Sequence, residues 1–138
     1  MPKLKVLVPL DGSEKSMHSL DWLKKFFGPD ELEVTLLNVM QVYYKPEMPN
    51  IEDFSHETAR KWSKQILDDG SRMLEGYAVK KESASGMSAD VILDHAKKGS
   101  FDLIVMTKSS VKGLSRLIGS VTTKVVRDSE VAVIVVPE

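Results

Sequence analysis

The chain is predicted to be an α/β protein, a doubly wound parallel sheet of five strands with helices on both faces. Three observations carry that prediction. Short apolar, β-branched runs recur along the chain: Val6-Leu7-Val8, then residues 34–39, Leu103-Ile104-Val105-Met106, and residues 131–136. Such runs are apolar on successive residues, as strands buried on both faces are. Between the runs lie apolar residues at helical spacing, and strands alternating with helices imply parallel pairing through right-handed crossovers.

The first strand covers 5–9, and Pro9, with no N–H, suits its end. Leu10-Asp11-Gly12-Ser13 forms a turn, with Asp11 or Ser13 placed to cap the next helix. Asp11 and Glu14 have the spacing of a capping box. Met17, Leu20, Leu23 and Phe27 form that helix's apolar stripe, and Gly28-Pro29 ends it. Residues 32–40 read as the second strand. Residues 41–54, with Pro46, Pro49, Tyr43 and Tyr44, read as a long loop of the functional kind. A long helix is expected from Ser55 to about Gly76, with Ala59, Trp62, Ile66, Met73 and Tyr77 on its buried face. Gly70, inside it, should cost about 1 kcal/mol relative to alanine.

Residues 78–84 read as an edge strand blunted by Lys80 and Lys81. Ser88 is placed to cap a third helix running to Lys98, with Val91, Ile92 and Ala96 inward and Gly99 closing it. The fourth strand ends at Met106, and loop chemistry begins at Thr107. Gly119-Ser120 opens the last helix, with Ser120 as its cap, and residues 131–136 form the last strand.

The 138 residues suit one domain over 1–138, at 42% hydrophobic and 28% charged. A net charge of −1 argues against bulk electrostatic binding to nucleic acid or membrane. There is no cysteine, so disulfides and thiolate chemistry are excluded. No apolar run approaches the length of a membrane span, and the N-terminus lacks a signal peptide's shape, so a cytoplasmic location is expected.

Between Leu103 and Arg127 there is no acid, but there are five cations: Lys108, Lys112, Arg116, Lys124 and Arg127. A basic loop feeding a helix N-terminus can seat a phosphate, because free backbone N–H groups and the helix dipole favour an anion. A solvated surface loop is the other reading. In a doubly wound sheet, ligands bind outside the carboxyl ends of strands where strand order reverses. If the first and fourth strands are neighbours there, Asp11 faces the basic loop, an arrangement suited to a nucleotide's ribose or metal and its phosphates. His18, His56 and His95 are scattered along the chain and read as solvated side chains. No Ser-His-Asp spacing, HExxH or Walker motif is present, so enzymatic activity is not expected beyond weak ATP hydrolysis at most. A response-regulator receiver would need an Asp at the end of the third strand, and Ser83-Ala84-Ser85-Gly86 supplies none.

VLVPLDGSEKS, LLNVM, GMSADVILDHAKKGSFDLIVM and IGSVTTKVVRDSEVAVIVVP together resemble the universal stress protein (UspA-type) family. The resemblance implies strand order 3-2-1-4-5, a stress-response or signalling role, and a site for ATP or AMP, with Mg²⁺ as a companion ion. It places Pro9 and Asp11 near adenine and ribose, Val39 at adenine, and Met106 before the phosphate loop G-x2-G-x9-G-[ST]. Thr107 and Ser110 stand where that loop has its first two glycines, and Gly119, Ser120 and Val121 match its end. The spacer 111–118 is eight residues, one short. The resemblance also implies a homodimer through the last strand, Val131, Val133, Ile134, Val135 and Val136 among its residues. That strand is an apolar edge open to pairing. The alternative is a dimeric interaction module of the same fold that binds no nucleotide.

Overall fold

Every strand of this chain is parallel to its neighbours, in a five-stranded sheet of order β3-β2-β1-β4-β5. The elements follow as β1 (Leu4–Pro9), α1 (Glu14–Phe26), β2 (Leu32–Met40), α2 (Pro49–Met73), β3 (Ala78–Ser85), α3 (Ser88–Lys98), β4 (Leu103–Thr107), α4 (Ser120–Asp128) and β5 (Ala132–Val136). The structure, a computed structural model, describes residues 2–40, 49–108 and 118–137, and the backbone alone for 49–55. The 41–48 stretch with Tyr43 and Tyr44 therefore lies outside the described residues, as do Ser110, Lys112 and Arg116.

The period-2 alternation of strand side chains divides the core into two layers. Val6 and Val8 of β1, with Val34, Leu36, Leu103 and Val105, pack against Leu20 and Leu23 of α1, Leu67 of α2 and Leu74 just past its end. Leu7, Leu37, Ile104 and Met106 point the other way, onto Ala89, Ile92 and Ala96 of α3 and Val125 of α4. The helices thus cover both faces, two on each. Among the described residues no helix is long and apolar enough to cross a membrane.

The long helix departs most from expectation. It begins at Pro49, six residues before Ser55, and ends at Met73. Proline suits the first turn of a helix, where its missing N–H costs nothing. Its buried face is also rotated by one residue. Ser63, Leu67, Gly70 and Leu74 face the sheet, whereas Trp62 is 70% exposed. Ile66, Met73 and Tyr77 flank that face and do pack against the core. Gly70 now has a reason. A Cβ there would lie 2.7 Å from Leu10 Cδ1 and 3.1 Å from Leu36 Cδ1, so glycine lets the helix approach the sheet closely. The Ser63 hydroxyl is 2.5 Å from that of Ser83 on β3, which satisfies both.

Asp68 ties the same helix to the edge strand, 2.9 Å from Lys81 Nζ and 3.3 Å from Lys64 Nζ. The hydrogen bond from Lys81, then that from Lys64, holds its carboxyl below the ordinary value. A depressed carboxylate contributes stability above its unfolded pKa and loses it as pH falls through the folded value. Asp68→Asn is therefore expected to lower the melting temperature slightly at pH 7 and to leave it unchanged once the wild-type carboxylate is protonated in strong acid. Equal melting temperatures at both pH values would dismiss the tie.

The helix caps need correction. Ser13 caps α1, its Oγ accepting from Ser16 N at 3.1 Å, and Asp11 instead accepts from Ser13 N at 2.8 Å, so the Asp11–Glu14 capping box does not form. Met87, not Ser88, is the cap residue of α3. Gly119 is the cap residue of α4, and Ser120 is its first helical residue. Gly99 is right-handed, at φ −83°, and Ser100 takes the positive φ of 53°. Glycine is required at 99 because a Cβ would press into the Phe101 ring.

Candidate functional site

The strand order reverses between β1 and β4: from β1 the chain runs outward through β2 to β3, then returns to β4 and β5. The connections that leave the carboxyl ends of β1 and β4 therefore run in opposite directions, and a cavity of about 460 Å³ opens above those ends. Pro9, Asp11, Val39, Met106, Thr107, Gly119, Ser120 and Val121 all line it. These are eight of the nine positions expected from sequence, and the ninth, Ser110, lies outside the described residues.

One wall is the turn after β1. Leu10 N–H donates to Leu37 O at 2.8 Å, and Asn38 Nδ2 donates to Leu10 O at 2.7 Å from a buried position. These bonds carry the β1–β2 pairing past the strand end and hold the Asp11 backbone in place. Gly12 follows at φ +89°, where a side chain would be strained and a Cβ would meet Ile66 Cδ1 at 2.9 Å. Ser16, whose Oγ donates to Ser13 O at 2.9 Å, completes that wall.

The opposite wall is the junction of β4 and α4. Thr107 is the last residue of β4, not the first of a loop, and is paired with Val136. Its carbonyl accepts from Thr122 Oγ1 at 3.0 Å, which anchors the start of α4 on the strand end. Lys108 N–H continues the ladder to Val136 O at 2.9 Å, and Gly119 N–H donates to Lys108 O at 2.8 Å. The first internal bond of α4 runs from Thr123 N–H to Gly119 O at 2.9 Å. The N–H groups of Ser120, Val121 and Thr122 precede it, so they have no partner inside the helix.

The floor between the walls is apolar: Leu37, Val39, Ile92 and Met106. Its size falls within the range of small-molecule sites, and an apolar floor with convergent polar groups at the ends is their common form. The floor suits a flat, weakly polar ring. The α4 end suits an anion, because N–H groups without a partner inside the helix coincide there with the positive end of its dipole. Of the five cations, Lys124 is taken by Asp90 at 2.6 Å. Arg127 is taken by its neighbour Asp128, which raises the guanidinium and holds the carboxyl below its ordinary range. Among the described residues no group of three His, Asp or Glu side chains could hold a metal ion.

Six lining residues escaped the sequence reading: Leu10, Ser16, Leu37, Ser88, Ile92 and Thr122. Ile92 and Leu37 read as ordinary core residues, and nothing local marks them as walls. Ser88 did carry a signal, since it opens a helix after the carboxyl end of a strand. The helix that covers the switch point is fixed only by the topology.

A model described as the Universal stress protein family matches residues 4–137. A universal stress protein of Methanocaldococcus jannaschii is 30% identical over 141 residues, which cover 96% of this chain and 81% of that protein. The structure of the hypothetical protein MJ0577 is similar at a TM-score of 0.76 and 27% identity, over 99% of this chain and 96% of that one. An Arabidopsis thaliana family member with AMP bound shares the fold at a TM-score of 0.73 and 20% identity, over 96% of this chain and 90% of that one. The fold is also shared with a universal stress protein in complex with cAMP, at a TM-score of 0.74 and 20% identity over 96% of each chain.

Proposed function

Because this chain belongs to the universal stress protein family, we propose that its switch-point cavity binds an adenine nucleotide, ATP or AMP, in a stress-response or signalling role. One observation carries the reading: an apolar floor leads directly to the N–H groups at the start of α4 that precede the helix's own bonds. The adenine lies on Val39 and Met106, the ribose faces Asp11, and phosphate meets Ser120 and Val121. Relatives solved with AMP and cAMP support a nucleotide of this class. Mg²⁺ fits this site through Asp11 alone of the described lining residues, with phosphate oxygens and water completing its shell. The reading is of binding without turnover; among the described lining residues Asp11 is the only carboxylate.

Titration calorimetry with AMP is the test. A saturable heat is expected, and no heat at millimolar nucleotide would overturn the reading in favour of an interaction module of the same fold.

The second part of the reading is a homodimer through β5. This strand closes one side of the sheet, and Val133 and Ile134 are only partly buried within one chain. Val126 of the adjoining α4 is 50% exposed. Light scattering is expected to give twice the 15.4 kDa of the chain at micromolar concentration, and a monomer mass would defeat the dimer.

A further inference from the structure

We infer that Asn38 is a positioning residue for the site: by occupying the Leu10 carbonyl with its side chain, it keeps the Val39 N–H out of the sheet and turned to the base. The inference rests on the nucleotide reading above and concerns how that reading's base contact is set up.

The starting observation is a polar residue in an apolar row. Alternate residues of a strand share a face, and Val34 and Leu36 of β2 are fully buried on the face that α1 and α2 cover. Asn38 is next in that row and is 6% exposed. Burying an amide costs free energy unless it is hydrogen-bonded. Its Nδ2 donates to Leu10 O at 2.7 Å.

The strand register shows what that bond displaces. In a parallel ladder, a residue donates its N–H to one residue of the neighbouring strand and accepts at its C=O from the residue two further on. The last rung between the two strands runs from Leu10 N–H to Leu37 O at 2.8 Å. The next would run from Val39 N–H to Leu10 O. Among the described residues that bond does not form, and the Asn38 side chain takes the carbonyl instead.

The same alternation fixes where Val39 points its backbone. Met40 O accepts from Gly86 N–H at 3.2 Å, past the end of β3. Val39, one residue earlier, therefore presents its N–H and C=O on the β1 side. There β1 has already ended at Pro9, and Val39, Leu10 and Asp11 line the cavity. Asn38 is on the other face and acts only through Leu10.

A neighbouring donor and acceptor on one residue match the edge of adenine, where the ring nitrogen N1 accepts and the N6 amino group donates. Hypoxanthine carries N1–H and O6 there, the reverse order. Without the Asn38 amide, the buried Leu10 carbonyl needs another donor, and Val39 N–H is the one in register. The sheet then gains a rung and the base loses a donor.

The experiment is calorimetry of the full chain with AMP and with inosine monophosphate, for wild type and Asn38→Leu, with amide exchange at Val39 in the nucleotide-free proteins. Wild type is expected to prefer AMP by at least about tenfold. In Asn38→Leu that preference is expected to collapse toward equality, while the melting temperature stays level or rises because leucine extends the apolar row. The Val39 amide is expected to gain at least about tenfold in protection, with or without nucleotide binding. A preference for AMP that survives the substitution, or an unchanged Val39 amide, overturns this inference and leaves the nucleotide reading standing. Equal affinity of wild type for the two nucleotides does the same. No heat with AMP in wild type overturns both. Asn38→Asp keeps the shape of the side chain: its carboxylate cannot donate to Leu10 O, whereas its protonated form can. Its AMP preference is expected to be weak at about pH 8 and to recover toward about pH 5, since burial favours the neutral carboxyl. A preference that is the same at both pH values overturns the role given to the Asn38 donor.

Discussion

Leu67→Ala is expected to lower unfolding stability by about 2–4 kcal/mol, and Trp62→Ala by less than about 0.5 kcal/mol. Both residues are large and apolar and lie on α2, five positions apart, yet their surroundings differ completely. Leu67 is 4% exposed and packs in the layer formed by β1, β2, α1 and α2. Truncation removes its transfer energy and leaves a cavity that rigid neighbours such as Leu36 and Leu74 cannot fill. Trp62 is 70% exposed and loses little. Urea unfolding of both variants checks the pair. Equal losses would put the tryptophan back on the buried face and discard the rotated packing of α2.

Ser120→Asp is expected to separate binding from stability with opposite signs. Ser120 is the first residue of α4 and is exposed at the cavity rim. An aspartate there sits against the positive end of the helix dipole and should raise stability by about 0.3–1 kcal/mol. The same carboxylate occupies the place of the phosphate and repels it, so AMP affinity should fall by at least about tenfold. Melting temperature and calorimetry on one preparation give both numbers. If affinity is retained, phosphate does not sit at the start of α4.

The alternation of elements was legible because it depends on periodicity alone. Apolar runs such as Leu103-Ile104-Val105-Met106 can be satisfied only by a strand buried on both faces, and here they are. Val39, Met106, Thr107 and Val121 of the candidate site were legible only through the resemblance to the universal stress protein family, whereas Asp11 and Gly119-Ser120 were legible from local turn and helix-start chemistry as well. Pro9, Asp11, Gly119 and Ser120 are residues that end strands and open helices, and in this topology those ends converge on one cavity. The face of α2 was not legible. The positions facing the sheet include Ser63 and Gly70, which hydrophobic patterning ranks low, while Trp62 ranks high. Ser63 is buried because Ser83 on β3 answers its hydroxyl, and Gly70 because Leu10 and Leu36 occupy the space a Cβ would need.

By itself, then, the sequence determined the order and type of the elements, the absence of thiol chemistry, and which chain ends are built for a polar ligand. These follow from local rules of period, turn and cap, which act over a few residues. Only the tertiary structure decided which faces meet, that Thr107 is a strand residue, and that the N–H groups of Lys108 and Gly119 are engaged while those opening α4 precede its ladder. Those facts depend on partners such as Val136, far along the chain, and a hydrogen bond that spends a donor leaves no mark in the residue that carries it.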